Sequence, residues 1–585
     1  AVFPALAQHT EQNHAVRFEQ LGPMLRTPNV YRTASGAPGH LYWQQQANYV
    51  IDVELDDANQ SIKGKETVTY INNSPDALTY LWLQLDQNNR GKDSDTPKVT
   101  ESSITPKMSL RTLEGILWHS DDYDVKILSI QDESGKPLNV AINKTMMRID
   151  LPKPLKAGET VRFSIDWSFN ITDRVGYIGG RPGYEYFPKD GNYLYTMAEW
   201  FPRMAVYSDF QGWQNKQFLG QGEFALTFGD YEVRITVPAD HMVGSTGVLQ
   251  NPEQVLSATE LQRWNKAKQT YDAPVVIRTQ AEAEALEKKK APGKKTWVFK
   301  ADNVRDFAWT SSRKFIWDAM AVKQGGKDVM AMSYYGKEGN PLWEQYSTRV
   351  VAHTLKSYSS HTFDYPYPTA ISVEGSNGME YPMICFNYGR PDADGTYSDA
   401  IKYGMISVII HEVGHNYFPM IVNSDERQWT WMDEGLNTFM QFMAEQEWDR
   451  NYPSRRGPAH KIVPYMKSEK HLLEPIMTNS ESIKQFGNNA YGKPATALNI
   501  LRETVLGREL FDFAFKTYCE RWAFKHPSPA DFFRTMEDAS GTDLDWFWRG
   551  WFYTTEAVDQ DLSKVRIASV PTLDPTELEA QRKAE

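Results

Sequence analysis

Hydrophobic and polar residues alternate strictly in three stretches of the first half of the chain. Tyr49, Ile51, Val53 and Leu55 fall on every second position, as do Val161, Phe163, Ile165, Trp167 and Phe169, and again Tyr231, Val233, Ile235 and Val237 before Pro238. A period of two places each set on one face of a strand. Turn clusters such as Asn72-Asn73-Ser74-Pro75 and Lys156-Ala157-Gly158 separate these runs, so residues 46–255 are predicted to form a large antiparallel sandwich or saddle. A charged stretch follows, in which Thr279 and Glu282 form a capping box and Pro292-Gly293 end a short surface helix. After a strand over 296–300, helical spacing dominates from 304 to about 550, with a small sheet. Residues 1–45 read as an extended leader over the first domain. The predicted organisation is a leader over 1–45, a β domain over 46–300, an α-rich domain over 301–555 and a peripheral tail over 556–585.

Composition narrows the class. The 585 residues are 41% hydrophobic and 24% charged, the balance of a folded chain of two or three domains. Lys and Arg number 63 against 75 Asp and Glu, giving a net charge of -12 without a basic tract, which excludes a nucleic-acid partner. Two cysteines, Cys385 and Cys519, exclude a disulfide framework. No run reaches the 18 or more apolar residues of a transmembrane segment. The opening AVFPALAQ resembles the end of a signal segment, so the expected compartment is periplasmic or secreted, with cytoplasmic as the alternative. With 18 Trp, 30 Tyr and 27 Phe the chain is rich in aromatics, which serve cores and clefts alike.

The chemistry concentrates in Ser-Val-Ile-Ile-His-Glu-Val-Gly-His from Ser407 to His415. His411 and His415 are four apart and share a helix face, with Glu412 beside the first, the arrangement of two metal ligands and a neighbouring base. With 12 His and 75 acids in 585 positions, roughly 0.03 such His-acid-x-x-His matches arise by chance. A catalytic zinc keeps three protein ligands. Glu434 supplies a candidate for the third, at the start of an amphipathic helix marked by Leu436, Phe439, Met440 and Met443. Asp433 beside it reads as an outer acid or a helix-start residue.

These residues resemble the aminopeptidase N family of gluzincin zinc metallopeptidases, which includes leukotriene hydrolase. Eighteen residues separate His415 from Glu434, the family's spacing. Asn377-Gly378-Met379-Glu380-Tyr381-Pro382 is similar to the family's Gly-x-Met-Glu-Asn segment, with Asn377 and Tyr381 departing from it. Tyr491-Gly492-Lys493, 57 residues after Glu434, is similar to its Tyr-x-Lys segment, and Thr196-Met197-Ala198-Glu199 to its Thr-Gln-x-Glu segment.

The resemblance implies an α+β chain: an N-terminal β-sandwich or saddle followed by a thermolysin-like, mainly α-helical zinc metallopeptidase domain, without the long helical C-terminal domain of larger members. It implies one Zn2+ per chain on His411, His415 and Glu434, with Glu412 as general base and Tyr491 on the oxyanion. Glu380 and Glu199 would hold the free N-terminus of a peptide substrate, and Gly378, Met379 and Tyr381 would shape the pocket. The implied activity is removal of N-terminal residues by metal-activated water. A thermolysin-like endopeptidase and a noncatalytic peptide-binding scaffold on the same fold are the alternatives.

Overall fold

The computed structural model describes residues 20–99 apart from 23, together with 106–110, 113, 123–174, 181–557, 563–567 and 574–584. The signal-like opening lies outside the described residues.

The alternating stretches form strands of a seven-stranded sheet. Its order is Val248–Leu249, Lys294–Val304, Gly229–Pro238, Gln46–Asp56, Ser61–Ile71, Thr160–Asn170 and Lys126–Asp132. Tyr49, Ile51, Val53 and Leu55 are buried on one face, as are Phe163, Ile165, Trp167 and Phe169 from Thr160–Asn170. Gly64 lies opposite Trp167 in the ladder, and a β-carbon there would come within 2.3 Å of the indole. The glycine lets the indole lie flat across the neighbouring strand, where its Nε1–H donates to Trp200 O at 3.0 Å.

The expected all-antiparallel pairing is corrected at the centre of the sheet, where Gln46–Asp56 runs parallel to Gly229–Pro238 with Tyr49 opposite Tyr231. Parallel neighbours need a long crossover rather than a hairpin. The chain between these two strands supplies it, building a four-stranded sheet that includes Leu78–Gln84 and Met146–Leu155 and two of the four strands of another, Gly183–Phe187 and Asn192–Met197.

A six-stranded sheet follows in the order Val275–Arg278, Ile316–Gln324, Lys327–Tyr335, Thr369–Glu374, Ile384–Asn387 and Met379–Tyr381. The helix Leu342–His361 is the crossover between the parallel strands Lys327–Tyr335 and Thr369–Glu374. Helices Asp399–Gly414 and Glu434–Trp448 pack beside it, and the antiparallel edge strand Met379–Tyr381 brings Glu380 towards them. The capping box is present, with Thr279 and Glu282 closing the start of Gln280–Lys288.

The leader reaches further than expected. Arg32 pairs with Asp209 in the β region and with Asp531 of the helix Pro529–Ser540, and Trp522 and Thr535 both donate to Gly36 O. Among the described residues no helix is long and apolar enough to cross a membrane.

Candidate metal centre and its surroundings

The helix Asp399–Gly414 starts at Ser398, whose hydroxyl accepts from Ile401 N, and it buries Met405, Ile406, Ile409, Ile410 and Val413. His415 follows its last residue but keeps right-handed backbone (φ -58, ψ -17), its N–H donating to His411 O at 3.1 Å. Both rings therefore stay on one face. At Gly414 a β-carbon would fall 2.3 Å from Tyr358 Oη and 2.4 Å from Asn437 Oδ1. The absent side chain lets the helix Glu434–Trp448 come close enough for Asn437 Nδ2 to donate to His411 O at 2.8 Å.

That approach brings the three expected donors together. His411 Nε2 and His415 Nε2 are 3.1 Å apart, and Glu434 Oε2 lies 3.0 Å from the first and 3.4 Å from the second. The opposite ring nitrogens fix the tautomers. Gln441 Nε2 donates to Ser407 O and Glu445 Oε1, so its carbonyl is left to accept from His411 Nδ1 at 2.9 Å. His415 Nδ1 lies 2.8 Å from both Phe418 O and Asp433 Oδ1. Both Nε2 lone pairs thus face each other and a carboxylate, an arrangement that fits a cation between them and the nitrogen and oxygen donor set of zinc.

The charges agree with that fit. Burial opposes ionisation of Glu434, but His415 and His411 outweigh it and hold the carboxyl well below the ordinary range. Burial also opposes a charge on His415, and Glu380, Asp433 and Glu434 override it and push the ring well up. The pocket's own field therefore favours positive charge. Gln441 is two helical turns from Glu434 on the same face. Gln441→Ala is expected to weaken zinc binding about 10- to 100-fold, measured by competition with a chromogenic chelator, by releasing the His411 ring.

Glu412 is buried beside His411. Burial pushes its carboxyl up to about 8, with Glu434 and Glu223 adding to the shift against His415 and Arg181, and a dication in the site would oppose it. Among the described residues its Oε2 has no hydrogen-bond partner. A β-carbon at Gly378 would sit 2.4 Å from Glu412 Oε1, so that glycine leaves room for the carboxylate. Tyr491 lies in a wide π-type turn over Gly487–Gly492, its O–H donating to Glu434 Oε1 at 2.5 Å and its ring stacked on His411. Gly378, Tyr388, His411, Glu412, Arg456 and Tyr491 line part of a cavity of about 330 Å³.

Glu380 is buried on the edge strand, its Oε1 without a hydrogen-bond partner among the described residues. Carboxylate oxygens of Glu223, Glu380, Glu426 and Asp433 come within 4.8 Å of one another, and Glu380 and Asp433 within the same distance of a His415 ring nitrogen. Glu199 stands apart from this group, at φ +53 just past the strand Asn192–Met197, with Arg181 Nε 3.8 Å from its carboxylate. Met379 meets the Arg181 guanidinium, and Tyr381 turns into the aromatic core against Phe224 and Phe386.

Sequence reading did not find Glu223, Glu426, Gln441 or Arg456. Gln441 was accessible from its spacing to Glu434. Glu223 sits in an irregular segment with no period to mark it, and Arg456 follows the helix in a loop.

Residues 346–551 match the family model described as the peptidase family M1 domain. Over that part of the chain the match supports the resemblance to the aminopeptidase N family of gluzincin zinc metallopeptidases. Among similar curated proteins, probable aminopeptidase 1 of Sulfurisphaera tokodaii is 26% identical over 219 residues, covering 34% of this chain and 27% of the relative. Glutamyl aminopeptidase of Bitis rhinoceros is 26% identical over 253 residues, 40% of this chain and 26% of the relative. The chain thus spans about a quarter of the length of these relatives. An M1 zinc metallopeptidase from Deinococcus radiodurans superposes with a TM-score of 0.57 at 15% identity, covering 90% of this chain and 98% of that one. That likeness establishes the α+β fold.

Proposed function

We propose that the protein is a zinc-dependent aminopeptidase that removes N-terminal residues from peptides with a free α-amine. The observation that carries this reading is the junction of the three proposed metal donors with a group of four buried carboxylates, Glu223, Glu380, Glu426 and Asp433, each of which keeps an oxygen without a hydrogen-bond partner among the described residues. Buried carboxylates need a cation. A peptide's terminal ammonium supplies one at a fixed distance from the first peptide bond. An endopeptidase would offer them only the neutral groups of a continuing chain.

Zinc held by His411, His415 and Glu434 supplies Lewis acidity to the scissile carbonyl and to water. Glu412 takes the proton of the attacking water and delivers it to the leaving amine. Tyr491 exchanges its hydrogen bond with Glu434 for one to the oxygen on which negative charge grows. Glu380 accepts the ammonium, and Glu223, whose carboxylate joins the same group, is a second acceptor. Glu199, which the sequence motif offers for that task, holds Arg181, and Arg181 in turn pairs with Glu223.

Peptides compared with and without an N-terminal acetyl group test this. Acetylation is expected to lower kcat/KM at least about 100-fold, since it removes two charge-assisted hydrogen bonds. Equal turnover of both forms would overturn the aminopeptidase reading.

A further inference from the structure

The metal donors stand between a group of carboxylates and a pair of arginines, the latter sharing their cavity with Glu412 and Glu445. The carboxylates of Glu380 and Asp433 approach the His415 ring, with Glu223 and Glu426 beside them. Arginines stand towards the other imidazole. The Arg456 guanidinium lies over the Tyr491 ring, 4.2 Å from its centroid, and that ring is stacked on His411 with centroids 5.8 Å apart. Arg455 and Arg456 both line the cavity beside the donors.

Neither arginine has a carboxylate within ion-pairing distance among the described residues. Several arginines inside the fold differ: Arg32, Arg203, Arg305, Arg313 and Arg427 each have one. Arg456 is half-buried and faces a cavity. Stacking on a ring uses the face of a guanidinium and leaves its in-plane N–H donors for a carboxylate, which they match in a bidentate fork.

We propose that Arg456, with Arg455 at the outer rim, receives the α-carboxylate of the substrate, so that the preferred substrates are tripeptides with both ends free. The inference rests on the aminopeptidase reading for the position of the amine end. An extended residue advances the chain about 3.5 Å, so the carboxylate of a tripeptide lies roughly 7 Å beyond the first peptide carbonyl. Arg456 is removed from the donors by one stacked phenol ring, which is the same scale. The cavity is also at the small end of the range for ligand sites, about 300–1,000 Å³. A longer peptide carries its carboxylate out of the cavity and forfeits the contact.

The test is binding to the zinc-loaded Glu412→Gln protein, measured by titration calorimetry with Ala-Ala-Ala, its C-terminal amide, N-acetyl-Ala-Ala-Ala and Ala-Asp-Ala amide. The free acid is expected to bind about tenfold more tightly than the amide, the worth of a charge-assisted contact. Adding Arg455→Gln and Arg456→Gln should bring that ratio to about one, while Arg456→Lys keeps part of it because the charge remains. The ratio cancels any general loss of binding through the Tyr491 contact. Equal binding of acid and amide to the arginine-containing protein, or a ratio that survives the double substitution, overturns the proposal. Tighter binding of Ala-Asp-Ala amide than of Ala-Ala-Ala would assign the arginines to an acidic side chain and overturns it too. N-acetylation reports separately on the amine end, so failure of the aminopeptidase reading is distinguishable from failure of this one.

Discussion

Glu412→Gln is expected to lower kcat roughly 10³-fold on any aminoacyl substrate, within the range of a positioned general acid–base, while zinc binding changes little. The glutamine has the same shape, and Glu412 makes no hydrogen bond through Oε2 that the amide would break. The metal donors and their outer partners, Gln441, Phe418 and Asp433, are untouched. The group lost is therefore the proposed proton carrier beside the donors. Zinc content by atomic absorption and kcat by chromogenic assay separate the two effects. A variant that loses zinc along with activity would mean that the carboxylate belongs to the coordination set. Metal-free Glu412→Gln should also be at least as thermostable as metal-free wild type at neutral pH. A buried carboxyl raised to about 8 binds its proton in the fold and releases it in the unfolded chain, which costs the fold stability as pH rises from about 4.5 towards 8.

The cluster of proposed metal donors was legible because its chemistry is local. His411 and His415 are related by one helical turn, and Glu434 opens the next predicted helix. The strands were legible for the same reason, since Tyr49 to Leu55 and Phe163 to Phe169 bury one face each. Pairing direction was not, because the parallel contact between Gln46–Asp56 and Gly229–Pro238 depends on where the intervening chain travels. Glu223 and Arg456 were invisible on similar grounds. Each lies in irregular chain, and its meaning comes from what distant segments bring beside it. The aromatic excess also changes its meaning. Tyr388 and Tyr491 line the cavity, but Trp200, Phe201, Tyr417, Phe418 and Trp431 are buried. Trp431 packs on Phe533 and Phe552 in a helical core. Most of those aromatics near the motifs hold the site's elements in place without facing the cavity.

Asp86→Ala is expected to destabilise the fold by about 3–5 kcal/mol, the cost of stripping a buried ion pair of one partner. Asp86 is fully enclosed between two arginines, Arg203 and Arg427, the latter 2.8 Å away. The two losses are unequal. Arg203 keeps Asp306, whereas Asp86 is the carboxylate of Arg427 among the described residues. Arg427 then has its stacking on Phe218 and a hydrogen bond to Gln84 Oε1, neither of which neutralises it. These contacts tie Asp86, in the turn after the strand Leu78–Gln84, to Arg203 in the β region and to Arg427 in the segment leading to Glu434. The neighbour of Arg427 is Glu426, which pairs with Arg305 and joins the acid group around Glu380. The β region and the metal-bearing helices are thus fastened to each other next to the amine end of the site. For a cooperative unit of about 250 residues the expected fall in Tm is roughly 10 °C. Asp86→Asn should show most of it, because the shape remains while the charge does not. The His411, His415 and Glu434 cluster lies outside the network, so zinc affinity should stay within about threefold of wild type where the variant is still folded. A Tm unchanged in both variants would show that Arg427 finds water or another acid when Asp86 is removed, and that the fastening lies elsewhere.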